Sequence, residues 1–208
     1  DGAGKAREDH QCLFTWDIIQ ELETRQFSST QLSITPGLSN ELFWEEQVFM
    51  DIGFETIGNA TLICHDKTPV LVTDPWLDDS PYFGSWTLSH EVPSEQLEAV
   101  KQCKFIWVSH GHPDHLSVKS LRLLSDMKLL LPDHVGGRIT DDMRRLGFDV
   151  TVLQDRTWTK LSPRISVLCI PDYNQDAVLL IDVGGTLVVN LNDTSPRGWG
   201  PFVKKTGK

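Results

Sequence analysis

Three imidazoles and one carboxylate fall within six residues of this chain, in the run Ser109-His110-Gly111-His112-Pro113-Asp114-His115-Leu116. These are the ligand types that suit zinc, iron and similar divalent ions. The alternate residues His110 and His112 can point at one ion, and Asp114 and His115 can serve a second a few ångströms away. Two such ions can share a water, lower its pKa and hold both the attacking and the leaving oxygen of a displacement. A single loop histidine is usually just solvated. Four ligand-type residues in six, with Gly111 and Pro113 forcing a tight loop, are the ordinary mark of a metal site.

The apolar stretch from Phe105 to Val108 just before this loop reads as a buried strand. The cluster therefore sits at a strand's C-terminal end, where open α/β sheets bind ligands. Further strands are expected at 47–52, 60–65, 69–73, 128–131, 148–153, 164–170, 177–183 and 186–191. Helices are expected at 94–103, capped by Ser94, and at 118–125 and 138–146. Asp182-Val-Gly-Gly185 is a hairpin turn signal. Residues 75–93 read as a long loop holding Trp76, Phe83 and Trp86. Residues 1–46 read as an arm with a short amphipathic helix at 14–24, and 47–208 as one domain. Strands with helices between them predict a layered α/β architecture.

The whole chain sets limits on the reaction. Its 208 residues, 39% hydrophobic and 23% charged, are an ordinary globular composition with enough chain for a sizeable core. A formal charge of -10 argues against nucleic acid as a partner, because phosphate contacts need clustered Lys and Arg. A small-molecule substrate is the partner expected. No apolar run is long enough to span a bilayer and no signal-peptide pattern opens the chain. The first residues, Asp1 to Arg7, lack an initiator Met, which suits a processed product or a fragment. Cys12, Cys64, Cys103 and Cys169 form no CxxC pair; mostly in apolar stretches, they read as buried free thiols and favour a cytoplasmic setting.

The segment HGHPDH resembles the HxHxDH signature of the metallo-β-lactamase superfamily, over residues 48 to 200. The resemblance implies an αβ/βα sandwich of mixed sheets with two divalent ions at its edge, zinc foremost and iron or manganese as alternatives. It also implies that Asp193, in Asn-Leu-Asn-Asp-Thr, bridges the ions, and that Asp74, ending Pro-Val-Leu-Val-Thr-Asp, supports them. The family's further His is missing from Ile170–Asp176, where Asp172 is the substitute ligand expected, with Asn174 and Asp176 behind it and His134 as the other candidate. A last family His lies well past the bridging Asp, so the C-terminal part is expected to be abbreviated before Lys208.

A narrower likeness lies in Thr-Asp-Pro-Trp at 73–76, in Gly84–Pro93, and in Asn-Asp-Thr-Ser-Pro-Arg-Gly-Trp-Gly at 192–200. These are similar to the metallo-β-lactamase-like part of CMP-N-acetylneuraminate hydroxylase-type proteins, in which such a domain follows a Rieske domain. Residues 1–47 offer only His10 and Cys12 toward a Rieske centre. Trp76, Phe83, Trp86 and Trp199 could wall a pocket, although core packing under the loop is the plainer reading, and His90 with Glu91 is expected to hydrogen-bond locally. Three functions follow. The first is a hydrolase of an ester, amide or phosphodiester that uses a metal-activated water oriented by Asp114. The second is an iron-dependent oxygenase acting on a nucleotide sugar or similar substrate. The third is a metal-binding remnant with impaired catalysis.

Overall fold

The computed structural model describes residues 50–172 and 175–194, all within the unit Gln47–Lys208. The helix expected at 14–24, Cys12, Asn174 and Trp199 lie outside the described residues.

Among the described residues, ten strands make two sheets. The first, in the order β1-β2-β3-β4-β5-β6, comprises Ile52–Gly58, Thr61–Asp66, Thr68–Thr73, Phe105–Trp107, Lys128–Pro132 and Val150–Leu153. β1 to β3 pair antiparallel, and β3 to β6 pair parallel. The second sheet, in the order β10-β9-β8-β7, is antiparallel throughout: Thr186–Asn190, Ala177–Val183, Ile165–Pro171 and Trp158–Lys160.

The central strands are apolar on both faces because each face has its own core to fill. Successive side chains alternate in direction. Thus Val72, Ile106, Leu129 and Leu131 turn toward the helices α1 (Ser94–Gln102), α2 (Val118–Arg122) and α3 (Arg138–Arg145), meeting Val100, Leu121 and Met143. Leu71, Trp107 and Leu130 turn the other way, into a core shared with Val167, Cys169, Leu179 and Ile181 of the second sheet. Helices, mixed sheet and antiparallel sheet stack as the layered α/β architecture expected.

At one edge of the sandwich Arg164 fastens the sheets together. Its Nη1 donates to Asp51 (2.7 Å) and its Nε to Asp66 (2.7 Å), which also accepts from Ser162 (2.7 Å). The opposite edge collects the C-terminal ends of the parallel strands, and it carries the histidines.

Several boundaries differ from the sequence expectations. The first strand is Ile52–Gly58 rather than 47–52, since it is the stretch from Ile52 that pairs with Thr61–Asp66. The strand expected at 148–153 begins at Val150, with Phe148 buried against the helices instead. The helix expected to reach 125 stops at Arg122. Trp158–Lys160 was not anticipated as a strand. It is short and largely exposed, with no apolar alternation to mark it.

Candidate metal centre

The Ser109–Leu116 loop leaves β4 and folds back on itself, with the amides of His115 and Leu116 donating to the His112 carbonyl (3.0 and 2.7 Å). It is tied to the end of β3 through Asp74. The Ser109 amide donates to Asp74 Oδ1 (2.7 Å), and the Asp74 amide donates to the Trp107 carbonyl (2.8 Å). Asp74 is wholly buried and has a positive φ of 39°, an uncommon conformation for a residue other than glycine.

Two groups of donors result, with Asp193 between them. On one side His110 Nε2 lies 2.6 Å from His112 Nδ1, and these atoms stand 3.6 and 3.8 Å from Asp193 Oδ2. On the other, His115 Nε2 lies 3.4 Å from Asp114 Oδ2 and 3.6 Å from Asp193 Oδ1. The two oxygens of one carboxylate thus face two separate imidazole groups. Asp193 is brought there by the turn after β10, where the Asn192 Nδ2 donates to the Ala177 carbonyl (2.9 Å), and Asn190 donates to Thr73 of the first sheet (3.1 Å).

Both buried histidines are oriented from behind. His115 Nδ1 meets Asp74 Oδ2 at 3.2 Å, and His110 Nδ1 meets Ser109 Oγ at 2.8 Å and Asp176 Oδ1 at 3.3 Å. A carboxylate on the far ring nitrogen is the usual way a ligating imidazole is fixed in tautomer and direction. Asp114 is held likewise: Tyr82 donates its phenol to Oδ1 (2.7 Å), and Asn59 donates to Oδ2 (3.2 Å).

The fit to a cation is tested by His115 Nε2. This atom is buried and, among the described residues, makes no hydrogen bond, although two carboxylates stand within 3.6 Å. Donors about 2.1 Å from one tetrahedral ion stand about 3.4 Å apart, which is the spacing seen here. The charges agree. Burial alone would lower the His115 pKa, but Asp114, Asp193 and Asp74 override it and push it up to about 12. Burial would raise Asp114, and His115 and Tyr82 hold it well below the usual carboxylate range instead; the His115 imidazolium holds Asp193 down too.

His110, His112, Asp114, His115 and Asp193 therefore converge. Ligand atoms of His110, His112 and Asp193 lie within 4.8 Å of one another. Asp172 is not in that group. It follows β8, where its amide donates to the Asp176 carbonyl (2.7 Å), and Asp176 is the residue that reaches His110. His134 Nε2 meets that carbonyl too (3.1 Å). His90 hydrogen-bonds Ser89 within its loop (3.1 Å). The aromatic group does not pack as one core: Trp76 is buried, whereas Phe83 and Trp86 are exposed. Tyr82 and Asn59 were not legible, since each reads as an ordinary loop residue until the fold sets it on Asp114. A cavity of about 590 Å³ opens beside the cluster, between His110, His112 and Asp193 and the start of α3.

No family model matches the chain. It is similar to the inactive cytidine monophosphate-N-acetylneuraminic acid hydroxylase of Homo sapiens, 26% identical over 74% of this chain and 33% of that protein. The hydroxylase of that name from Macaca mulatta is 28% identical over 72% of this chain and 28% of its own length. The chain thus spans about a third or less of these curated relatives. Among solved structures it is similar to CmlA, a diiron β-hydroxylase from Streptomyces venezuelae, with a TM-score of 0.58 and 21% identity over 75% of this chain and 32% of that one. The fold is the metallo-β-lactamase-like sandwich, here of one mixed and one antiparallel sheet. No described helix is long and apolar enough to cross a membrane.

Proposed function

We propose that this chain forms a two-cation centre bridged by Asp193 and belongs to a metal-dependent enzyme, with oxidative hydroxylation as the leading reaction. The observation that carries the centre is the carboxylate of Asp193, whose two oxygens face His110 with His112 and His115 with Asp114. His110, His112 and Asp193 would hold one ion, and His115, Asp114 and Asp193 the other. Two imidazoles and one carboxylate with open positions are the donor set typical of iron centres that use oxygen. The hydroxylase names of the sequence relatives support the same choice.

Bound iron supplies the redox chemistry and the ions together supply Lewis acidity. The chain's own groups do the rest. Asp74 and Asp176 keep each ring's Nδ1 engaged and Nε2 aimed inward. His115 and Tyr82 keep Asp114 ionised, and Tyr82 and Asn59 fix it in place. The neighbouring cavity takes the substrate.

Hydrolysis is the second reading, supported by Asp114. A buried carboxylate locked by two donors, with its Oδ2 toward His115, can orient a water for attack on an ester, amide or phosphodiester. Zinc would then be the natural ion.

The readings separate in one experiment on full chain loaded with iron or with zinc. Oxygen uptake by the reduced iron form, lost in His110→Ala, is the outcome expected. Turnover of activated phenyl esters or phosphodiesters by the zinc form, with no oxygen uptake by the iron form, would reverse the order.

A further inference from the structure

We infer that His134 binds the substrate: its ring Nδ1 accepts a hydrogen bond from a hydroxyl or N–H that the substrate carries beside the group held at the cations. Calling that donor the substrate's rests on the metal-centre reading; the imidazole itself is set by separate contacts.

His134 lies in the connection from β5 to α3 and lines the same cavity as His110, His112 and Asp193. Its backbone is pinned on both sides. The His134 amide donates to the Pro132 carbonyl (3.0 Å), and its carbonyl accepts from the Gly137 amide (3.1 Å). The ring is pinned too, with Nε2 standing 3.1 Å from the Asp176 carbonyl. A carbonyl oxygen only accepts, so Nε2 carries the proton, and in the neutral ring Nδ1 keeps its lone pair. Burial, helped by the charge of His110, lowers the pKa of this imidazole against the opposing pull of Asp176 and Asp133. A divalent ion on His110 would disfavour the imidazolium further.

The lone pair on Nδ1 is not used within the protein. Among the described residues no group hydrogen-bonds it. Nor is it sealed off: the buried side-chain nitrogens and oxygens left unmatched there are Trp107 Nε1, His115 Nε2 and Asn192 Oδ1. Nδ1 is therefore an acceptor open to solvent, on a residue of the cavity wall. His110 differs, because Ser109 and Asp176 engage its Nδ1 while its Nε2 faces His112 and Asp193.

Asp176 ties the two imidazoles together. Its carboxylate reaches His110 Nδ1 (3.3 Å), while its carbonyl takes both His134 Nε2 and the Asp172 amide (2.7 Å). One residue thus sets a proposed ligand of the first ion and the free acceptor on the cavity wall at a fixed separation. The complement of a lone acceptor is a donor; an oxyanion in that place would meet a lone pair and be repelled.

Titration calorimetry of the zinc-loaded full chain with acetohydroxamic acid and with N-methylacetohydroxamic acid tests this, with zinc content measured on the same samples. Both grip a metal through two oxygens, and only the first carries an N–H beside them. Wild type should bind the first about three- to tenfold more tightly, the scale of one net hydrogen bond. In His134→Gln, whose amide can still donate to the Asp176 carbonyl but places no acceptor at Nδ1, that ratio should fall to within about twofold with zinc retained. Nitrogen NMR of the wild-type zinc form should show His134 neutral and protonated at Nε2. Its Nδ1 signal should move on adding acetohydroxamic acid and stay with the N-methyl analogue. Equal affinity for both probes in wild type, a ratio unchanged in His134→Gln, or a proton on Nδ1 instead of Nε2 would overturn the proposal. Zinc content tells this apart from failure of the metal centre: wild type that retains no zinc removes the centre, and the substrate role of His134 with it.

Discussion

His115 is 1% exposed, with Asp74 on one ring nitrogen and two carboxylates around the other. Asp176 stands behind His110 in the same relation, though at a longer 3.3 Å. If those carboxylates orient ligands, removing their charge while keeping their shape should weaken metal binding without unfolding the protein. Asp74→Asn and Asp176→Asn should each cost about 10–100-fold in metal affinity, measured by competition with a chelator. Asp172→Asn should cost far less, because Asp172 lies outside the group formed by His110, His112 and Asp193. The cysteines yield a second prediction at this scale. Burial pushes Cys103 and Cys169 up to about 12, and Cys64 higher still. A chain unfolded above pH 9 ionises these thiols and the folded chain does not. Stability should therefore fall as pH rises from about 9 toward 12. In Cys12→Ser protein at pH 8, a thiol reagent should react with none of the three until denaturant is added; prompt reaction would contradict their burial.

The elements that place these residues depend on a few backbone positions. The β9–β10 hairpin turns on Gly184 and Gly185, at φ 61° and 93°, the two-residue turn that suits the twist of paired strands. β10 delivers Asp193, so Gly185→Ala should destabilise by about 1–2 kcal/mol in denaturant unfolding, from the left-handed penalty rather than from any clash. This turn was readable from Asp-Val-Gly-Gly, and the central strands from their apolar runs, because local signals there agree with the fold. The HGHPDH cluster was readable for the same reason: Gly and Pro fix its loop, and the ligand types lie side by side. What was not readable is non-local. Asn59 lies 55 residues from Asp114 and Tyr82 lies 32, and only the meeting of the β1–β2 turn, a left-handed turn at Tyr82 and Phe83, and the histidine loop brings them together. The choice between Asp172 and Asp176 also lay beyond sequence, since it depends on where β8 ends and which side chain of the connection turns inward.

Across the whole molecule the sandwich has two working edges. Arg164 with Asp51 and Asp66 binds the sheets at one, and the other gathers Asp74, the histidine loop, Asp176 and Asp193 from both sheets. The proposed metal centre would therefore span the interface between the sheets, with Asp193 as the second sheet's contribution and the histidines as the first's. Elemental analysis of metal per chain, in wild type and in Asp193→Asn purified without added metal, tests this most directly. Two ions per chain in wild type, iron foremost, and one or none in the variant with its fold intact is the result this account predicts. Equal metal in both proteins, or none in wild type, would contradict the bridge.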